Sequence, residues 1–257
     1  MLEMAGSTDK GLVRERNEDA IKLIPEQGIA ILSDGMGGHL AGDVASRMAI
    51  DIIAEKIGND GFKPGEPFPL DVRNLLKSSL SAANSSIRAV ARSRPECHGM
   101  GATVVVCIVS DQVLISHLGD SRGYLFADDR LTQLTEDHTL AQQYLNSGMI
   151  NEKEARSWSG RNLLVKGLGI EAHVDPDISI NELNQGMICL LCSDGLTDVV
   201  SDSAIAQCLR AATDDLDLTA RLLIDKAIDN GGPDNISVIL IRAANPHSSP
   251  AYTGHDQ

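Results

Sequence analysis

Four aspartates in this chain stand where carboxylates could hold a cation. Asp34 closes the apolar run "AILSD" and is followed by "GMGG", and Asp194 closes "CLLCSD" and is followed by "GL". Asp120 lies in the turn "HLGDSR", and Asp234 lies in "GGPDN", just before the apolar run that starts near Ile236. Each position alone also reads as plain turn chemistry, since Asp and Gly are good turn residues. The set says more, because Ser-Asp-Gly follows a wholly apolar run twice, at Ser33 and Ser193. A glycine after the aspartate lets the backbone approach a ligand closely and offers its own carbonyl as a hard donor. Oxygen-only donors with several open positions are what Mg²⁺ or Mn²⁺ prefer. The segment "TDKGLVRERNEDA" supplies complementary groups. Arg14 could grip a phosphate through two parallel hydrogen bonds, while Glu18 and Asp19 could orient water on a cation. Taken singly, these too read as a surface arginine and a solvated acidic turn.

The elements that must position these residues come in mixed order. "GIAILSDG" from Gly28 is a short apolar run ending in a turn, as a buried strand does. Val44, Ala45, Met48, Ala49, Ile52, Ile53 and Ile57 then repeat at helical spacing. A second stripe carries Val72, Leu75, Leu76, Leu80, Ala83, Ile87 and Val90. "ATVVVCIV", "QVLISHLGD" and "RGYLFA" read as three consecutive strands joined by tight turns, an antiparallel meander. Helical patterns return near Thr139 to Ser147 and after Asn151. "GMICLLCSDG" and "NISVILIRA" are further strands, separated by two helices over about Asp202 to Asp229. This is not the alternation of a parallel doubly wound sheet, and an α+β layered domain fits better.

Composition narrows the function classes. With 36 acidic against 22 basic residues the 257-residue chain carries a formal charge of −14. That field disfavours nucleic acid and anionic lipid, although bound cations can reverse its sign locally for a phosphorylated substrate. No basic leader with an apolar core opens the sequence, and no apolar run approaches the ~18 residues a membrane span needs. A cytoplasmic protein is expected. Cys97, Cys107, Cys189, Cys192 and Cys208 give an odd count and read as small buried hydrophobes. Cys189 and Cys192 form a C-x-x-C, but within a strand positions three apart face opposite sides, which argues against a metal or redox pair. "GNDGFKPGEPFPL" reads as a surface loop. Residues 243–257, polar and proline-bearing, read as a disordered tail to a single domain over 1–242.

The motifs together resemble the bacterial branch of the metal-dependent type 2C serine/threonine phosphatases. The likeness runs from about Ser7 to Arg242 through "TDKGLVRERNED", "SDGMGGHLAGDVAS", "MGATVV", "LGDSRGYL", "LTQLTEDHT", "CSDGLTDVV" and "GPDNISVIL". Seven motifs in one order are far more specific than any single pattern. The resemblance implies a four-layer α-β-β-α sandwich of two mainly antiparallel sheets, with a flap over about 139–161 beside a metal cleft. It implies that Asp34 bridges two Mn²⁺ or Mg²⁺ ions and that the Gly35 carbonyl completes one of them. Asp194 and Asp234 would hold the other ion, and Asp120 with Asp194 a third, weaker one. Arg14 would bind the substrate phosphate, Glu18 and Asp19 would act through water on the ions, and Asn235 would brace that shell. Phosphorylated proteins are the implied substrates, with a serine/threonine kinase and its targets as partners in signalling, and the enzyme is expected to be a monomer.

The chain departs from the family pattern at several places. Some relatives carry a histidine straight after Asp-Gly to protonate the leaving alcohol, whereas here Met36 stands there and His39 lies three further on. A bracing role for His39 is favoured over that of general acid. His138 matches a family histidine outside the metal set, and His117 reads as a satisfied core residue. Ser157, Trp158 and Ser159 replace a frequent histidine–proline, and Trp158 reads as a flap anchor ahead of a substrate contact. A catalytically dead phosphoprotein binder, a hydrolase of small phosphate esters and an acidic Ca²⁺ protein are the rival functions. Retention of every expected ligand speaks against the first, and the lack of a twelve-residue calcium loop against the last.

Overall fold

The computed structural model of the chain describes residues 2–37, 41–59, 61–211 and 215–243. In chain order the strands are β1 (Leu2–Asp9), β2 (Asp19–Ile24), β3 (Ile29–Met36), β4 (Gly101–Ala102), β5 (Val104–Val109), β6 (Val113–Leu118), β7 (Arg122–Ala127), β8 (Arg130–Gln133), β9 (Asp177–Asn181), β10 (Ile188–Cys192) and β11 (Ile236–Ala243). The helices are α1 (Ala41–Gly58), α2 (Val72–Ser93), α3 (Leu140–Asn146), α4 (Glu152–Ser157), α5 (Asp194–Thr197), α6 (Asp202–Arg210) and α7 (Leu216–Asp229). One sheet runs β1-β11-β10-β7-β8 and the other β2-β3-β5-β6-β9, with β4 beside β3, and every pairing is antiparallel.

Side-chain alternation explains the four layers. In β3, Ile29 and Ile31 face α1 and α2, while Ala30 and Leu32 face the opposing sheet. Cys189 and Leu191 of β10 meet Cys107, Val105 and Ile115 between the sheets, and Leu190 and Cys192 turn outward to α6 and α7. A strand buried on both faces reads as an unbroken apolar run, which is why these segments looked like buried strands. Cys189 and Cys192 thus belong to different cores, as their spacing demanded. On α1, Ala45, Ala49, Ile53 and Ile57 are wholly buried, and Val44, Met48 and Ile52 pack around them. The small alanines let α1 lie close against β3.

The meander expected from the sequence does not form. β5 and β6 pair as a hairpin, with Val104 opposite Leu118, but β7 leaves for the other sheet, between β10 and β8. The cause is the turn Gly119–Ser121, where Gly119 adopts φ +104° and presses on Thr103. A β-carbon on Gly119 would lie 2.7 Å from Thr103 Cβ and Cγ2, so only glycine turns this corner without strain. The chain therefore crosses the sandwich at the point where Asp120 is displayed. Residues 244–257, read as a tail, lie outside the described residues, as does His39.

Candidate active site

The aspartates singled out in the sequence come together at one end of the sandwich, each from a different segment. Asp34 lies near the end of β3 and is the register partner of Asp19 at the start of β2. Asp120 projects from the sheet-crossing turn, Asp194 opens α5, and Asp234 precedes β11. Asp34 is pushed well above the usual carboxylate range, first by burial and then by the charges of Asp19, Asp194, Asp120 and Asp234. Asp194 is raised likewise, by burial and then by Asp120, Asp198, Asp234 and Asp19. Burial carries Asp120 up to about 7, with Asp137 next in effect. Like charges driven together out of water demand a proton or a cation.

Asp19 spans the two sheets. Its Oδ2 accepts from Ser193 Oγ at 2.9 Å and from Ser237 Oγ at 2.6 Å, both belonging to the opposite sheet and its end. Burial raises Asp19 to about 6 even though these two hydroxyls pull it down. Its second oxygen, Oδ1, is buried without a hydrogen-bond partner, and so is Oδ1 of Asp194. Buried carboxylate oxygens left bare are costly and fit a site built for cations.

The N-terminal loop is stapled to this cluster by Asn235. Its side chain accepts from Glu18 N–H at 2.8 Å and donates to the carbonyls of Lys10 and Arg16 at 3.0 and 2.8 Å. The Glu18 carbonyl in turn accepts from Gly35 N–H and Ser46 Oγ, and burial raises the Glu18 carboxyl. Gly35 has no room for a side chain, since a β-carbon would overlap the Gly42 carbonyl. Arg14 Nη2 donates to Asp234 Oδ2 at 2.7 Å, and its guanidinium also feels Asp34 and Asp194. Arg14 thus stands at the mouth of the cluster with its side chain 54% exposed.

Beside the aspartates opens a cleft of about 760 Å³, lined among others by Asp120, Asp137, Arg161, Asn162, Asp194 and Asp198. The flap forms one wall. Arg161 Nη2 and Asn162 Nδ2 both donate to Asp198 Oδ2 at 2.9 Å, and Asn162 also reaches Asp194 Oδ2 at 3.5 Å. Trp158 tilts on Tyr144 with ring centroids 5.4 Å apart, the anchoring contact expected of it. Asp198 was missed in the sequence, although it falls one helical turn after Asp194. Thr103, Ser121 and Ser237 were missed as well, because serine and threonine near turns give no distinguishing signal.

His117 and His138 stack with centroids 4.6 Å apart and 5° between planes. With Asp177 they form a group whose ligand atoms lie within 4.8 Å of one another, closer than any three of the aspartates among the described residues. The hydrogen bonds argue against a metal there. His138 Nδ1 accepts from Gly119 N–H at 3.1 Å, so the neutral ring carries its proton on Nε2 and has no lone pair to give. The Lys166 ammonium already lies 3.4 Å from that Nε2 and 3.5 Å from Asp177. The wider spacing of the aspartates suits Mg²⁺ or Mn²⁺, hard ions that keep several waters and take few carboxylates.

Comparison with known proteins agrees with this geometry. The family model for protein phosphatase 2C matches residues 13–222. The serine/threonine phosphatase stp of Listeria innocua is 37% identical over 240 residues, covering 91% of this chain and 93% of that protein. The structure of the Mycobacterium tuberculosis serine/threonine phosphatase PstP/Ppp superposes with a TM-score of 0.84 at 37% identity, covering 95% of this chain and 99% of that one. A PstP catalytic domain in complex with two manganese ions superposes at 0.82 and 36% identity, over 95% and 99% of the two chains. A sheet sandwich flanked by helices, an aspartate cluster that calls for cations and sequence identity along nearly the whole chain converge, and the chain belongs to the protein phosphatase 2C family as a metal-dependent serine/threonine phosphatase.

Proposed function

We propose that the chain hydrolyses phosphoserine and phosphothreonine in proteins by direct attack of water, with two divalent cations in the aspartate cluster and no covalent intermediate. The observation that carries this reading is the burial of Asp34 among Asp19, Asp120, Asp194 and Asp234, with bare oxygens on Asp19 and Asp194. Asp34 and the Gly35 carbonyl would hold one Mn²⁺ or Mg²⁺, and Asp34, Asp194 and Asp234 the second. Asp120 with Asp194 would hold a third. When bound, such ions acidify water and offset the charge on phosphoryl oxygens.

The remaining residues orient and exclude. Asp234 holds Arg14 at the mouth, where its planar fork can take two phosphoryl oxygens. Ser193 and Ser237 fix one oxygen of Asp19, so that the other can accept a proton from the attacking water. Glu18 lies on the same wall, placed through its own backbone by Asn235 and Ser46. The cysteines are buried or half-buried, consistent with chemistry that needs no thiolate. With this function go phosphorylated proteins as substrates, a kinase acting on the same targets, and a cytoplasmic, signalling monomer. Among the described residues no helix is long and apolar enough to cross a membrane.

The test is hydrolysis of a phosphothreonine peptide and of an aryl phosphate, each with Mn²⁺, Mg²⁺ or chelator. Turnover of both with Mn²⁺ and none in chelator is expected. Turnover surviving complete chelation would reject the cation mechanism, and hydrolysis of the aryl phosphate alone would make the chain a small-ester hydrolase.

A further inference from the structure

Thr103 occupies the single residue between β4 and β5 and is 3% exposed, yet every polar atom it carries is engaged. On one side it grips the strand that bears Asp34. Thr103 N–H donates to the Asp34 carbonyl at 2.8 Å, and Asp34 N–H donates to Thr103 Oγ1 at 3.0 Å. The Thr103 carbonyl accepts from Ser33 Oγ at 2.6 Å. On the other side Thr103 Oγ1 lies 2.6 Å from Ser121 Oγ, and its methyl lies 2.7 Å from where a β-carbon on Gly119 would stand. Asp120 stands between those two residues. The far side of the same turn is clamped by His138, which donates its N–H to the Gly119 carbonyl at 3.0 Å and accepts Gly119 N–H on Nδ1.

A buried hydroxyl that accepts one hydrogen bond and shares its own proton in another is a directional link between its partners. Here the partners are the backbone of Asp34 in one sheet and the turn of Asp120 where the chain crosses to the other. We propose that Thr103 is a positioning residue: its hydroxyl fixes Asp120 relative to Asp34 and so sets cation affinity at the Asp120 site. The inference rests on the reading of both aspartates as cation ligands. Ala102 and Thr103 are adjacent but unlike in role, since Ala102 is wholly buried in the apolar layer under α1 and α2.

Thr103→Val keeps the shape and methyl contact but removes the hydroxyl, whereas Thr103→Ser keeps the hydroxyl. Mn²⁺ titrations followed by the electron paramagnetic signal of the free ion resolve the tight ions from the weaker one. The weak-site affinity should fall about tenfold in Thr103→Val, the scale of one buried hydrogen bond. It should be largely restored in Thr103→Ser, and the tight ions should be less affected. Ser121→Ala, which breaks the link from the other end in a small side chain, should weaken the same site. Ser121→Ala therefore provides the test even where Thr103→Val fails to fold. Parent-like weak binding in Ser121→Ala and Thr103→Val, or equal losses in Thr103→Ser and Thr103→Val, would overturn the inference. Asp120→Asn binding the weak ion like the parent would instead reject the ligand assignment on which the inference stands.

Discussion

Asp34 is where sequence and physics meet most tightly. Asp34→Asn should lower phosphopeptide turnover with Mn²⁺ by roughly 100-fold or more, since it removes the charge that the site is built around. In chelator the same variant should melt no lower than the parent, because it relieves repulsion among crowded carboxylates. A lower melting point for the chelated variant would show that the cluster is not strained. Asp120 offers a test in pH. Its carboxyl is raised from 3.8 to about 7, so the stability it contributes is fully present below about pH 4 and is lost as pH rises to about 7. Burial shifts His117 and His138 downward, and they act in the opposite sense below about pH 6.5, so the comparison must be between parent and variant. In chelator, the melting point of Asp120→Asn should gain on the parent from about pH 4 to about pH 7 and then hold its lead. A difference that stays constant with pH would contradict this. Asp34 and Asp194 were legible as candidates because Ser-Asp-Gly follows an apolar strand at both, whereas Asp120 and Asp234 stood out only as part of the set. The hydroxyls that hold them were not, since a buried serine is made by the fold around it and not by its neighbours in sequence.

The flap is the element whose parts are most separable. It contains α3, capped by the Thr139 side chain, and α4, whose capping box joins Asn151 and Glu154 in both directions. A helix of six residues has little stability of its own, so its cap matters in proportion. Asn151→Ala should cost about 1 kcal/mol locally. Hydrogen exchange should quicken over Glu152–Ser157 while global melting stays put, and unchanged exchange would count against a cap-dependent flap. A second element-scale anchor is Arg122, whose Nε and Nη2 donate to the two oxygens of Asp137 at 2.8 and 2.6 Å. Burial opposes the Arg122 charge, but the paired bonds to Asp137 outweigh it and raise its pKa. Asp137→Asn leaves this guanidinium short of a partner and should lower unfolding free energy by about 2 kcal/mol, discounted for partial exposure, as read by urea titration. Helices and strands were readable from periodicity, with α1 and α2 falling on the apolar stripes that suggested them. What periodicity could not show is which sheet a strand joins. β7 carries the same alternation in either sheet, and the choice is made by the turn at Gly119 just ahead of it and by Thr103, which is distant in sequence.

At the scale of the molecule, the charge of −14 and the crowded aspartate cluster favour a folded state that takes up cations. Saturating Mn²⁺ at about 100 times its dissociation constant stabilises by about 2.7 kcal/mol per site. For a domain of this size that should raise the melting point by roughly 5–10 °C, an effect that Asp34→Asn should largely abolish. A parent chain indifferent to Mn²⁺ in such a melt would argue against tight binding.

The first and last strands of the sandwich lie zipped together over their whole length. Leu2 faces Ala243, and Asp9 faces Ile236, two residues from Asp234. One end of this ribbon therefore borders the aspartate cluster, and Leu2 and Ala243 lie side by side at the other, about 25 Å away at 3.3 Å per residue. Both residues thus lie at the pole opposite the aspartate cluster. A short linker joining Ala243 directly to Leu2, with new termini opened elsewhere, should therefore yield a functional permutant.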